Sequence, residues 1–159
     1  MGMFQEAGKV VVAYVSKGGA SEKYAGIIAG RLNDLKYDAQ LVDLRRDEVH
    51  DLSQYGSVVV GAGVRMGMVY GKAKKLLKSK DIAGKSVAVF LCSGMAVEDS
   101  GKAENKYMQP FVLKCGVSPI LTGSFPGTYP APRGNSRDTT DPQTAMQWAE
   151  ELASRLGTE

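Results

Sequence analysis

The chain has 159 residues, 43% of them hydrophobic and 23% charged, with a net charge of +3; this is the size of one domain over residues 1–159, able to bury roughly two thirds of its unfolded surface around a core. No apolar run approaches the roughly 20 residues that cross a bilayer, no signal-peptide pattern opens the sequence, and Glu6 stands where a myristoylation signal needs Ser or Thr, so a soluble cytoplasmic protein without an integral membrane segment is expected. Cys92, Cys115 and the sole histidine, His50, leave no disulfide framework, metal-ligand spacing or Ser-His-Asp triad, and the mild charge without interleaved aromatic residues gives no nucleic-acid surface.

After a frayed start, Lys9 to Val15 is a β-branched apolar run that predicts a strand buried on both faces. Tyr24, Ile27, Ile28, Leu32 and Leu35 recur at helical spacing over Ser21 to Leu35, with Ser21 placed as the amino-terminal cap. Four more short apolar strands are predicted at Ala39 to Leu44, Ser57 to Ala62, Ser86 to Cys92 and Val117 to Thr122. Between them fall a helix near Gly71 to Lys78, with Tyr70, Ala73, Leu76 and Leu77 inward, and a segment at Glu104 to Cys115, with Tyr107, Met108, Phe111 and Val112 inward and Pro110 interrupting it. A closing helix has Asp141 as cap, Pro142 in its first turn, Ala145, Ala149, Leu152 and Leu156 inward, and Gly157 as its stop. Cys92 and Cys115 fall within these elements and are expected as buried thiols. Such alternation of strand and helix requires right-handed crossovers and a parallel sheet covered on both faces. In this doubly wound α/β architecture a ligand lies beyond the carboxyl ends of the strands, so function is expected in three loops.

The first loop, Ser16-Lys17-Gly18-Gly19-Ala20-Ser21, leads into a helix amino terminus. It reads either as an anion cradle of backbone N–H groups and hydroxyls or as an ordinary Gly-rich turn with a capping Ser. The second, Gly61 to Tyr70, has glycines that imply close approach to the backbone. It fails as a dinucleotide fingerprint, because Met66 stands where the third Gly belongs. It also fails as a P-loop, because Gly67 and Gly71 are one residue too close and Ala73 replaces the hydroxyl. The third, Cys92 to Asp99, can present backbone donors and acceptors to a heterocycle edge. A phospho-receiver domain would need acidic residues where Val15-Ser16 and Gly61-Ala62 stand. Lys72, Lys74, Lys75, Lys78 and Lys80 form either a solvated helix face or a docking surface for an acidic redox partner. The long Pro-, Gly- and Arg-rich connection from Ser124 to Thr140 is either a plain surface loop or a partner- or substrate-selecting one, with Tyr129 and Arg133 as candidates.

Taken together, Tyr14 to Glu22, Gly61 to Gly67, and Phe90 to Ser93 followed by Glu104-Asn105-Lys106-Tyr107 resemble the flavodoxin-domain family over most of the chain. The similarity extends to the branch containing menaquinone-dependent protoporphyrinogen dehydrogenase. The corresponding stretches here are Ser16 to Ser21, Val64-Arg65-Met66-Gly67 and Asn105 to Tyr107.

The resemblance implies a flavodoxin-like three-layer sandwich with a five-stranded parallel sheet in the order 2-1-3-4-5, and FMN as cofactor. It places the FMN phosphate on Ser16, Lys17, Gly18, Gly19, Ala20 and Ser21, and the isoalloxazine ring against Gly63, Val64, Arg65, Met66, Gly67, Ser93, Gly94 and Met95. Ser21 stands for the family's usual Thr and keeps the hydroxyl. Met66 stands for an aromatic residue that commonly stacks on flavin, leaving Tyr70, Tyr107 or Tyr129 to supply a ring face. Arg65 beside the reduced ring would raise its potential, and the Gly67 peptide has the freedom to turn toward flavin N5. The implied function is an electron-transfer protein working with a redox partner protein or a small electron acceptor. The alternative is an FMN-dependent oxidoreductase of quinone or protoporphyrinogen type, and a third class is a binding or regulatory module without flavin. No catalytic side chain and no metal ligand is expected.

Overall fold

A computed structural model describes residues 8–16, 19–47, 49, 51–65, 68–69, 71–129, 137–138 and 140–156. Met1 to Ala7, Lys17, Gly18, His50, Met66, Gly67, Tyr70, Arg133 and Gly157, all with expectations from the sequence, lie outside the described residues.

Strand β1 (Lys9–Val15) pairs in parallel with β2 (Asp38–Asp43) on one side and β3 (Ser57–Arg65) on the other. Strand β3 pairs in parallel with β5 (Ser86–Ser93), which pairs in parallel with β6 (Leu121–Pro126). The order of these five parallel strands is 2-1-3-4-5 when they alone are counted, as the resemblance implied. A short strand β4 (Met68–Val69) folds back antiparallel on the end of β3, and β7 (Thr128–Tyr129) pairs antiparallel with β8 (Arg137–Asp138).

Alternation along the strands builds two separate cores. Val11, Ala13 and Val15 of β1, with Val58, Val60 and Ala62 of β3 and Val87, Val89 and Leu91 of β5, face helices α2 (Gly71–Leu77) and α5 (Gln109–Cys115). The opposite residues, Val10, Val12 and Tyr14, Val59, and Ala88, Phe90 and Cys92, face helices α1 (Ala20–Asp34) and α6 (Pro142–Leu156). Ala73, Leu76 and Leu77 are buried on α2, and Ala145, Ala149 and Leu152 on α6, where helical spacing placed them. Asp141 is the cap of α6, its carboxylate accepting from Gln143 N, Thr144 N and Thr144 Oγ1.

Three boundaries differ from expectation, each for a local reason. Ser21 does not cap α1. The cap is Gly19 at φ 91°, and Ser21 lies inside the first turn, 2% exposed, its hydroxyl donating to Cys92 Sγ at 3.5 Å. The last parallel strand begins at Leu121 rather than Val117. Gly116 at φ 72° ends α5, the N–H groups of Gly116 and Val117 return to Val112 O, and pairing starts when Ile120 N reaches Val87 O. It then continues into what read as a surface connection, carrying Pro126 alongside Ser93. Strand β3 likewise overruns Ala62 to Arg65, because its end is paired on both sides, Gly63 with Cys92 and Arg65 with Met68.

Pro110 does not break its segment. Helix α4 (Ser100–Ala103) passes into a π-helical stretch, Glu104–Met108, and α5 starts with Pro110 in its first turn, where a missing N–H costs nothing. The Glu104 carboxylate ties this stretch to β6, accepting from Gln109 Nε2 at 2.7 Å, Thr122 Oγ1 at 2.9 Å and Ser124 Oγ at 3.0 Å.

The α1/α6 core contains an aromatic group of Tyr24, Phe90, Phe125 and Trp148, with Phe90 and Phe125 stacked at 5.5 Å between centroids and Trp148 edge-on to both. Two glycines make room for it. A Cβ on Gly61 would stand inside the Phe90 ring, and one on Gly123 would meet Phe125 Cε1 and Trp148 Nε1 at 2.7 Å. The close approach that the glycine at position 61 signalled is thus made by a core side chain. Because Phe90 is fully buried and held by three other rings, it has no free volume to yield into. Gly61→Ala is therefore expected to destabilise the fold by about 2–3 kcal/mol. Urea denaturation checks this, and an unshifted midpoint would refute the packing argument.

Candidate functional site

Parallel pairing brings the carboxyl ends of β1, β3 and β5 to one edge of the sheet, side by side. Val15 is level with Ala62, Gly63 with Cys92, and Ser93 with Pro126. The loops that follow these three strands contain the expected site residues.

Beyond β1, Ser16 and Gly19 are described, and a hydrogen bond joins them. Ser16 Oγ accepts from Gly19 N at 2.9 Å, which closes the turn, and Gly19 O accepts from Lys23 N at 3.0 Å as the first helical bond. The N–H groups of Ala20, Ser21 and Glu22 have no acceptor within the helix and point out of its positive end. Gly19 is exposed, and a Cβ placed on it would meet nothing within 4 Å. A group bearing a phosphate fits such a turn, since free amides, a hydroxyl and room above a glycine are what it requires. Lys17 and Gly18, expected at this turn, lie outside the described residues, and the Ser21 hydroxyl is turned inward to Cys92, leaving its backbone N–H for the turn.

Under the turn sits Cys92. Burial pushes its thiol up from the ordinary 9.0 to about 12, only weakly opposed by the Ser21 hydroxyl. Both cysteines are buried and free, as expected. Tyr14, at the end of β1, is also raised, first by burial and then by the carboxylates of Asp43 and Glu22.

Beyond β3, Gly63 and Val64 are half-buried, Val64 pairs with Val69, and the Arg65 backbone pairs with Met68; Met66 and Gly67 lie outside the described residues. Beyond β5, Ser93 is 6% exposed, and its hydroxyl accepts from Ala96 N at 3.2 Å, opening helix α3 (Met95–Glu98). Gly94 and Met95 are half-buried, and Gly127 N returns to Ser93 O at 3.2 Å.

Tyr107 is partly buried. It packs against the α2/α5 core from the π-helical stretch, with Asn105 exposed beside it. The lysine stripe lies mainly on the exposed side of α2. There Lys114 and, less strongly, burial and Lys78 depress the Lys74 ammonium. Between α2 and the connection after β2 lies an open groove of about 160 Å³, lined by Leu44, Asp47, Val49, Lys72, Lys75, Leu76 and Ser79. Among the described residues no helix is long and apolar enough to cross a membrane.

Two contributors were not anticipated. Arg45, beyond the carboxyl end of β2, donates from Nη1 to Ser16 O at 2.8 Å. The buried Tyr24 donates its hydroxyl to Pro126 O and accepts from Asp141 N at 2.9 Å. The basic pair Arg45-Arg46 directly after a predicted strand was a visible signal for the first; nothing in the spacing of Tyr24 marks it out from a core residue.

The family model described as the flavodoxin domain matches residues 11–151. The chain belongs to the flavodoxin-domain family. Solved structures of similar fold include flavodoxin 2 of Bacillus cereus, 23% identical over 92% of this chain and 99% of that one with a TM-score of 0.64. A mutant flavodoxin of Fusobacterium nucleatum bound to flavin mononucleotide is 13% identical over 94% of this chain and 95% of that one, with a TM-score of 0.57. Rubredoxin oxygen:oxidoreductase of Desulfovibrio gigas is 18% identical with a TM-score of 0.64, and the match covers 95% of this chain but 36% of that one. No curated protein matches the chain in sequence.

The flavodoxin-domain framework encloses the Cys92 thiol, and this has a consequence for stability against pH. The unfolded thiol ionises near 9 and the folded one near 12, so between these values the unfolded chain binds fewer protons and stability falls as pH rises. Comparing urea denaturation at pH 7.5 and pH 10.5, Cys92→Ala is expected to lose about 1–2 kcal/mol less than wild type over that interval. Equal losses would show that Cys92 does not supply the alkaline sensitivity.

Proposed function

We propose that this chain binds FMN at the carboxyl edge of its sheet and serves as a flavodoxin-like electron carrier for a redox partner protein or a small acceptor. The observation that carries the reading is the start of α1 at the carboxyl edge of the sheet, where an exposed Gly19 with nothing within 4 Å of a Cβ position precedes the first-turn amides, in a chain of the flavodoxin-domain family. In this reading Ser16, Lys17, Gly18, Gly19, Ala20 and Ser21 hold the phosphate, Ser21 through its backbone. Gly63, Val64, Arg65, Met66 and Gly67 on one side and Ser93, Gly94 and Met95 on the other border the ring. Bound FMN supplies the one- and two-electron chemistry. The protein orients the ring, limits water at its edges and sets the local charge. The lysines of α2 offer an acidic partner a surface beside that edge.

A second reading, an FMN-dependent oxidoreductase of quinone or protoporphyrinogen type, is favoured by the stretch Val64-Arg65-Met66-Gly67. The carrier stands first because the chain has little beyond the cofactor fold with which to hold a separate substrate.

Purified protein incubated with FMN is expected to keep its flavin absorption through desalting; colourless protein would overturn the cofactor assignment. Steady turnover of a quinone without any partner protein would favour the enzyme. Arg65 adds positive charge at the ring side, which favours the reduced, anionic ring. Redox titration of Arg65→Gln is therefore expected to give a midpoint lower by on the order of 40 mV, the one-electron equivalent of about 1 kcal/mol. An unchanged or higher midpoint would remove Arg65 from that role.

A further inference from the structure

We propose that Arg45 is a positioning and specificity residue of the anion turn: it braces Ser16 from the neighbouring strand and supplies positive charge that makes the turn prefer a phosphorylated flavin over riboflavin. This rests on the FMN reading above and adds to it a residue outside the first loop.

The geometry is unusual for an exposed arginine. Its guanidinium is committed to a backbone carbonyl 29 positions away, Ser16 O, through Nη1 at 2.8 Å. The segment bearing it is fixed at both its neighbours. Leu44 N bonds to Tyr14 O at 2.9 Å, and the Arg45 N–H bonds to Asp43 Oδ1 at 3.0 Å. The other Asp43 oxygen faces Arg46 Nε at 3.6 Å, so the nearby carboxylate is engaged elsewhere and does not cover the Arg45 charge. Among the described residues Nε and Nη2 of Arg45 have no acceptor. A planar fork with one arm on the turn's own carbonyl presents its remaining donors at the same place.

Of the turn's residues, Ser16, Gly19, Ala20 and Ser21 carry no charge, Lys17 is the one cation in its sequence, and Glu22 in the first turn of α1 is acidic, so Arg45 adds a second positive charge from outside the loop. Amides and helix dipole favour an anion at the turn, and in an exposed site salt screens part of that attraction. Charge-assisted bonds from a guanidinium are roughly twice as strong as neutral ones. The brace has a second effect. Ser16 Oγ accepts Gly19 N–H, so the position of Ser16 decides whether that amide stays within the turn or is handed to a bound oxygen. Fixing Ser16 O from outside fixes the residue that competes with the ligand.

The test compares dissociation constants of FMN and riboflavin for wild type, Arg45→Gln and Arg45→Lys, each checked for unchanged circular dichroism. Arg45→Gln is expected to weaken FMN by about 10-fold and riboflavin by less than about 2-fold, while Arg45→Lys keeps most of the preference. Inorganic phosphate added to flavin-free protein gives an independent readout. The amide resonances of Ala20 and Ser21 should shift in wild type, and Arg45→Gln should need a higher phosphate concentration for the same shift. An FMN-to-riboflavin ratio that Arg45→Gln leaves unaltered, whether both affinities hold or both fall together, overturns the proposal while the FMN reading stands. Wild type that takes up neither flavin removes both.

Discussion

A parallel strand buried on both faces has no tolerance for a shift of one residue, because such a shift exchanges its two faces. In β1 this constraint acts at full strength. Val11, Ala13 and Val15 belong to the core under α2 and α5, and Val10, Val12 and Tyr14 to the core under α1 and α6. Its partners obey the same division, with Val58 and Val60 on one side of β3 and Val59 on the other. The heights at which the strands end are therefore set by packing in the middle of the sheet. The first turn, the end of β3 and the Ser93 corner stand beside one another because valines several residues earlier allow no other alignment.

Rigidity beneath the edge lets the loops above it be built from small residues. Ser16, Gly19, Ala20, Gly63, Ser93 and Gly94 offer little side chain of their own, and what they present is backbone. Backbone groups make a defined surface only when their anchors do not move. The anchors here are a strand ladder, a cluster of four aromatic rings with glycines 61 and 123 fitted around it, and hydroxyls bonded to neighbours, such as Ser93 Oγ accepting from Ala96 N.

The parts of this fold legible in the sequence are those with a strong period. Buried valine runs and the apolar stripe of α6 reveal their elements directly, since burial on one or two faces is a sequence property. Legibility ends where a residue's role is decided by something distant along the chain. Ser21 has the composition of a cap, yet its hydroxyl goes to a cysteine 71 positions away. The stretch from Val117 has strand propensity, but the carbonyls left open at the end of α5 claim its first N–H. Gly61 announces a close approach without saying by what, and the answer is Phe90. The three loops at the carboxyl edge follow from the order of strands and helices, whereas of Arg45 only its place in a basic pair after a strand is legible, because a guanidinium's reach to a particular carbonyl leaves no periodic trace.

Tyr24 joins three elements through one oxygen. Its hydroxyl reaches Pro126, where the main sheet ends, and Asp141, where the last helix begins. A single phenol on α1 thus ties the last strand of the main sheet to the closing helix, so two elements late in the chain share one anchor point near its beginning.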